Sequence, residues 1–562
     1  MLGRPSTALP VLLWMFVLGG LVPRVSAQQV SRDDPRPVAV LAIANADRLL
    51  SDASFLAQEM AGPGAQGALL FAGAWLQGVD RTRPLGVLFY LEDQGPRGIG
   101  FLPVQDFERL RKRISEKLGE PEDTGSGIFC FRLGGQTAVY YRHVDPWVFI
   151  ADARHRLIHV PREPVKYVGE WRDDATVALH FDLTALSKEA RAEVDELVAE
   201  YVQALNDLPA GRGIGASSRR KLQELQLQTI QRFVRRAESW TLGFRTDRKN
   251  QRLSFHLTLV LGPDSEEDSS ENRSGSHNVP DAGVLALRQT DAALTFFSRY
   301  QLNTSDRQTW KEVVTLIEGD LMGRLATAQE DGSSGARSRA FVEQLFEQLQ
   351  QTIDEGALGL SGTLWLQDNT ARFGIAVRVA DGKAVERSYR DFVEQLPSNP
   401  STPQAVFDVG KVRGVRMHQL KLELPENEKE ARLVFGPQLV VTFGFGAKTV
   451  YVVLGHGGEM WLKEQLTRED TPMPDSGLLS EVVLSLRPLL QNLPETDEAK
   501  RAQIRNLARL LESPDGKAHD RIRLAVSRNR RAIRYDLEID TPILRLLQYW
   551  SRRAAQEESS PR

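Results

Sequence analysis

The chain has almost no cysteine. Cys130, in the strand-like stretch GIFCFRL, is the only one. One thiol makes no internal disulfide and no cysteine metal cluster, so folding has to rest on buried apolar surface. An excess of one charge is also missing: 71 Lys and Arg stand against 74 Asp and Glu, a net charge of -3. This gives no basic footprint for nucleic acid and no acidic block for metal buffering. Beyond the first 27 residues no apolar run approaches the roughly 20 residues that cross a bilayer as a helix, so no transmembrane helix is expected in the mature chain.

The N-terminus does carry an address. Arg4 precedes the apolar run LPVLLWMFVLGGLV (Leu9 to Val22), and Val25-Ser26-Ala27 is a small-residue cleavage site. Together these read as a secretory signal, with cleavage near Ala27 and Gln28 first in the mature chain. Cleavage would remove Arg4 and Arg24 and leave the mature chain at net -5. No cysteine stands directly after the apolar run, which excludes a lipid anchor on an N-terminal Cys. The expected location is extracytoplasmic, periplasmic or secreted.

Hydrophobic residues at 41% and charged residues at 26% are those of a soluble globular protein. The clearest break is PDSEEDSSENRSGSHNVPD, residues 263–281, which cannot bury enough apolar surface to order itself. Phrases recur on either side of it. VLAIANADRLL (Val40 to Leu50) echoes VLALRQTDAAL (Val284 to Leu294) at an offset of 244. Arg245 to Leu259 echoes Val526 to Ile539, with Phe255 against Tyr535 at an offset of 280. Val87 to Asp106 resembles Thr363 to Asp381, each a strand, turn, strand and capped helix. Ala138 to Asp152 resembles Val440 to His456, each a hairpin. Alternating strands and one-faced helices, such as Ser338 to Ile353, lead to an α+β expectation. The chain reads as two tandem similar halves, each with antiparallel sheet covered by helices on one face. The boundaries are a signal at 1–27, a flexible tail at 28–37, a first half at 38–262, a disordered linker at 263–281, a second half at 282–550 and a polar tail at 551–562.

Several stretches imitate active sites. DTGSG (Asp123 to Gly127) spells the aspartic-protease triplet, with Asp475-Ser476-Gly477 as a second copy. Neither follows the apolar strand that chemistry requires; both read as loops. GRGIGA (Gly211 to Ala216) lacks the preceding strand of a dinucleotide fingerprint. It reads, like DGSSGARSRA (Asp331 to Ala340), as an interhelix connector. Arg212, Arg219, Arg220 and Lys221 then belong to a solvated loop. GHGGE (Gly455 to Glu459) could supply oxyanion amides, but no G-x-S-x-G elbow accompanies it, so it reads as a turn. His155 and His159 have metal-ligand spacing, yet Arg156 stands where a Glu would be needed, and Pro161 and Pro164 oppose a helix. His143 and Asp145 fall in a turn, His180 and His256 are structural strand residues, and Cys130 is a buried apolar side chain. Asn272 and Asn303 begin formal glycosylation sequons. No catalytic, cofactor-binding or metal residue is therefore assigned, and no cofactor is expected.

DRTRPLGVLF and GIGFLPVQDFERL (within Asp80 to Leu110), WVFIADARHRL (Trp147 to Leu157) and the following VPREPV carry a resemblance. The chain resembles large uncharacterised secreted proteins of planctomycete-type bacteria. The resemblance implies an extracytoplasmic location and brings no activity, cofactor or catalytic residue. The resulting expectation is a non-enzymatic extracytoplasmic binding or scaffold protein with a protein or small-molecule partner. A hydrolase with a site dispersed in sequence and an apolar-ligand carrier are the alternatives.

Overall fold

The computed structural model describes residues 36–60, 73, 76–92, 95–133, 137–169, 171–206, 224, 235–263, 282–289, 291–302, 304–327, 334–367, 370–395, 403–468, 477–492, 498–512, 519–529 and 531–559. The signal, most of the 28–37 tail, nearly all of the 263–281 linker and the end of the chain lie outside them.

The first ten strands are β1 (Ala39–Ile43), β2 (Leu85–Glu92), β3 (Gly95–Pro103), β4 (Glu122–Asp123), β5 (Ile128–Leu133), β6 (Thr137–Val144), β7 (Trp147–Ala151), β8 (Val177–Asp182), β9 (Ala237–Asp247) and β10 (Arg252–Leu261). The rest are β11 (Leu294–Gln301), β12 (Ala357–Gln367), β13 (Thr370–Arg378), β14 (Gln404–Val412), β15 (Val415–Glu423), β16 (Gln438–Phe445), β17 (Thr449–Leu454), β18 (Leu478–Ser485), β19 (Arg521–Asn529) and β20 (Ala532–Asp540). The helices used below are α1 (Ala46–Met60), α2 (Phe107–Leu118), α3 (Thr304–Thr327), α4 (Ser334–Asp354), α5 (Gly382–Glu394), α6 (Gly458–Thr467) and α7 (Pro542–Ser559).

The described residues fall into two compact units. One holds β1–β10 with β20, and the other holds β11–β19. In the first unit the strands lie in the order β4-β5-β6-β7-β3-β2-β1-β8-β9-β10-β20, every pair antiparallel. In the second the order is β14-β15-β16-β17-β13-β12-β11-β18-β19, again antiparallel throughout. All twenty strands belong to a single sheet.

This corrects the expectation of two α+β halves, each with its own sheet backed by helices on one face. The physical reason the chain does not divide at 263–281 into two self-contained halves lies in β10. A half ending at the β9–β10 hairpin would leave a long edge of unpaired backbone groups. Instead β20, from the end of the chain, pairs with β10 from Arg252↔Asp540 to Val260↔Ala532. The register is symmetric about His256↔Asp536, with Phe255 opposite Leu537 and Leu257 opposite Tyr535. Helix α7 follows β20 and is tied to α1 by the Arg545–Glu59 ion pair at 2.8 Å.

The one-face expectation fails for a second reason. In β7, Trp147, Phe149 and Ala151 join one apolar cluster with Val40, Leu88 and Phe101, while Val148 joins another with Leu110 of α2 and Tyr141. In β17, Tyr451 and Val453 pack with Trp461 and Leu462 of α6, while Val450 packs with Val385 and Tyr389 of α5. Successive strand residues point to opposite faces, so the sheet is covered on both faces at these places. The echo at offset 244 is also corrected: Val40 lies in β1, but Val284 lies in a helical turn, Ala282–Leu285, ahead of β11. What recurs is an order of connection. β1 lies between β2 and β8, as β11 lies between β12 and β18.

Through β8, β9, β10 and β20 the residues do alternate. Phe181, Trp240, Leu257 and Tyr535 form an apolar cluster on one face. The other face carries His180, Thr241, Arg245, His256, Arg534 and Asp536, as the register requires. Gly243 stands directly opposite His256, and a Cβ there would overlap the imidazole. We expect Gly243→Ala to cost about 1–3 kcal/mol through overpacking. His256→Ala in the same chain should recover part of that loss. Urea denaturation of the parent, both single variants and the double variant checks this, and additive losses would refute it.

Candidate functional site

The densest described cluster of potential ligand atoms is Glu386, Asp408 and His418, whose donor atoms all lie within 4.8 Å of one another. Three elements bring them together. Helix α5 begins at Asp381, whose carboxylate accepts from the Lys383 and Ala384 amides at 2.9 and 3.2 Å, an N-cap. One helical turn apart, Val385, Tyr389 and Val393 are buried, and Glu386 is carried inward beside them. His418 is in β15, opposite Phe443 of β16, and is fully buried. Asp408 is in β14, where pairing with β15 is interrupted between Val406 and Gly410. Its φ of +54° is the left-handed conformation of a residue in a bulge.

The bulge determines the hydrogen bonding. It takes the Asp408 N–H out of the ladder, and that N–H donates to Nδ1 of His418 at 2.9 Å. Nδ1 is therefore an unprotonated acceptor, and the single proton of the neutral ring sits on Nε2. Nε2 lies 3.1 Å from Oε1 of Glu386 and donates to it. Arg416 donates to the same oxygen at 3.0 Å, and Arg390 does so at 3.3 Å. Arg390 also holds both oxygens of Asp408, at 2.7 and 2.8 Å, and lies over the Phe407 ring. Tyr389 stacks on the imidazole at 5.9 Å, and Phe445 lies 5.5 Å from it. Burial pushes the His418 pKa down, opposed by the Glu386 hydrogen bond and assisted by Arg390. The hydrogen bond from Arg390 holds the Asp408 carboxyl below its usual value. Burial alone raises the Tyr389 phenol to about 12, and its OH has no hydrogen-bond partner.

This donor set does not fit a cation. Two carboxylates are matched by two guanidiniums, so the cluster is already neutral. A metal on Nε2 would move the ring proton to Nδ1, against the Asp408 N–H, and set two donors face to face. The group is a neutralised polar network pinning α5, β14 and β15 together. It is buried at the imidazole and open to solvent at Asp408 and Arg416.

Two other polar groups stand out. Glu481 of β18 is buried between Arg288, at 2.6 Å, and Arg523, at 2.8 Å. Burial raises its pKa, but the hydrogen bonds from Arg523 and Arg288 outweigh this and hold it below the usual value. His256 is lowered to about 4 by burial and then by Arg534, with Asp536 and Asp174 opposing. Arg534 in turn bonds Asp536 at 2.9 Å and Asp174 at 3.1 Å.

The stretches singled out in the sequence do not converge on these groups. DTGSG forms the β4–β5 turn: Asp123 accepts from the Gly125 amide at 2.8 Å, and Arg154 holds the Thr124 carbonyl at 3.1 Å. His155 lies in a 3-10 turn, Arg154–Leu157, which ends before His159. His143 stacks on Phe107 at 4.0 Å. His180 bonds Thr241 at 2.8 Å, and Cys130 is buried. GHGGE turns from β17 into α6, with Gly457 left-handed at the helix start. Of DGSSGARSRA, Ser334 onward is already α4 rather than connector. Gly211 to Ala216, Arg212, Arg219, Arg220, Lys221, Asp475, Ser476, Asn272 and Asn303 lie outside the described residues. Sequence reading missed Glu386, Arg390, Asp408, Arg416 and His418. The available signal was a Glu–Arg pair at i, i+4 on the apolar side of VERSYRDFV.

The chain matches no known protein family, no curated protein and no solved structure. None of the described helices is long and apolar enough to cross a membrane.

Truncating Glu386 to Ala would leave the buried Nε2–H of His418 without its acceptor, and we expect it to cost about 1–3 kcal/mol. Glu386→Gln keeps an acceptor for His418 and should cost less. Urea denaturation orders the two variants, and equal losses would show that the carboxylate oxygen is not the anchor. Adding Zn²⁺ to the folded protein should leave its Tm unchanged; a rise that Glu386→Gln abolishes would reinstate a metal.

Proposed function

We propose that the chain is a secreted or periplasmic, non-enzymatic binding or scaffold protein whose partner is another protein. The supporting observation is a stripe on α3. Trp310, Ile317 and Leu321 are each more than a third exposed, and Val314 lies half-buried between them. Tyr300 of β11, also exposed, places its ring 6.4 Å from that of Trp310. Large apolar side chains gathered along one helix face cost free energy in water unless a partner covers them. Their spacing of four, three and four residues is the seam spacing of paired helices. The stripe covers about 16 Å of helix, enough for a partner's amphipathic helix to lie along it. The extracytoplasmic location rests on the signal read in residues 1–27.

Native mass spectrometry of mature protein from its own envelope fraction tests this reading. The expected result is a complex of defined stoichiometry with a second protein. The double variant Ile317→Glu, Leu321→Glu should run at monomer mass while keeping the parent circular dichroism spectrum. A parent chain found only as bare monomer, or one carrying a small molecule instead, overturns the proposal.

A further inference from the structure

We propose that His418 is an acid-sensitive latch: its unprotonated Nδ1 holds the bulged edge strand β14 to the sheet at neutral pH, and a second ring proton releases it. The inference is independent of the partner reading above. It starts from position in the sheet. β14 ends the strand order and has β15 as its only described neighbour in the sheet. At the bulge the ladder gives way, and the Asp408 N–H is held by one bond, to Nδ1 of His418. Protonating that nitrogen replaces an acceptor by a donor. Two N–H groups then face each other across a distance set for a hydrogen bond, and the contact turns from attractive to repulsive.

The surroundings decide which side gives way. From α5, Glu386 accepts from Nε2 and favours the charged ring, while Arg390, 3.5 Å from Nε2, opposes it. Tyr389 of the same helix stacks on the ring. From β15, Arg416 bonds the same Glu386 oxygen. From β14, Asp408 is held by Arg390, and Phe407 lies edge-on to the ring. Phe443 and Phe445 of β16 and Phe341 and Leu345 of α4 close the cluster without charge. From α6, the Lys463–Glu459 ion pair lies against Gly410 of β14, two residues beyond Asp408. A protonated ring therefore keeps and strengthens its bond to Glu386 and stays with α5 and β15. The part it repels is the Asp408 backbone on the edge strand.

The sign follows from burial. His418 is held below its ordinary pKa in the folded protein, so the latched state binds fewer protons than the released state. Latching is complete above the ordinary histidine range and is lost as pH falls through it. Below the pKa of the released ring, protection of β14 should fall by about tenfold per pH unit until the folded ring itself protonates.

Hydrogen-exchange mass spectrometry on the full mature chain, from about pH 7.5 to about pH 5, reads this directly after correction for intrinsic exchange. The expected result is loss of protection in 404–412 with β12 and β13 unchanged. His418→Asn, which offers a non-titrating acceptor in place of Nδ1, should remove the pH dependence. Should that variant not fold, Glu386→Gln still decides the matter, because losing the charge that favours the protonated ring moves release to lower pH. Unchanged protection of β14 across the range, loss shared equally with β12 and β13, or a Glu386→Gln midpoint that stays put or rises each overturns the latch.

Discussion

The sheet depends on how β10 is completed. A strand of ten residues has backbone donors and acceptors along both sides, and β9 meets only one of them. β20 meets the other. Without it, the polar face with His256 would lose Arg534 and Asp536, and α7 would lose the strand that delivers it to α1. The closing strand lies far along the sequence, with Arg252 and Asp540 288 residues apart, so this part of the structure cannot be complete until both segments are present. Its register follows from side-chain character. Leu253, Phe255, Leu257 and Leu259 face one way, and Ile533, Tyr535, Leu537 and Ile539 face the same way opposite them. A one-residue slip of β20 would put its set on the polar face.

Polar groups are treated differently at the centre and at the edge of this sheet. Central positions use small residues to admit large ones. Gly243 admits the His256 ring, and Gly374 lies under the Trp461 indole. The buried charge at Glu481 is matched by two arginines, because a carboxylate inside the fold is tolerated only when fully bonded. At the β14 edge the problem is instead a backbone amide taken out of the ladder by a bulge. A buried histidine supplies the missing acceptor, and Glu386, Arg390 and Arg416 hold that histidine in place.

Much of the local structure was legible from sequence. The β2–β3 and β12–β13 hairpins, the Asp106 and Asp381 caps, and the alternation in β10 and β20 followed from turn residues and period-two patterning. The assembly of strands was not legible, for identifiable reasons. WVFIA and TVYVVL are continuous apolar runs, and that continuity marks burial on both faces. Reading them as ordinary hairpin strands led to helices on one face only. The Val40–Val284 echo was a match of letters: the second copy is followed by QTDAA, and the strand starts only at Leu294. Pairing of β10 with β20 is non-local, and no spacing along the chain announces it. The Glu386 network was hidden because its residues are 22 and 10 positions apart, and because the residue that makes it necessary is a bulge, which has no fixed sequence mark.

His256 and His418 show how much is decided by backbone rather than by side-chain type. Both are buried strand histidines, and burial lowers the pKa of both. Every amide beside His256 is used by β9 on one side or β20 on the other, so the ladder leaves nothing for its ring to accept. Its charges, from Arg534, Asp536 and Asp174, act through space. Protonating it would cost stability across the centre of the sheet without selecting one strand. His418 has lower symmetry around it: a held carboxylate on one nitrogen, a lone backbone N–H on the other, and open solvent beyond the strand that carries that N–H. The same chemical event therefore has a direction at the edge that it lacks at the centre, and that direction comes from the Asp408 amide, which has left the ladder and is held by the ring instead.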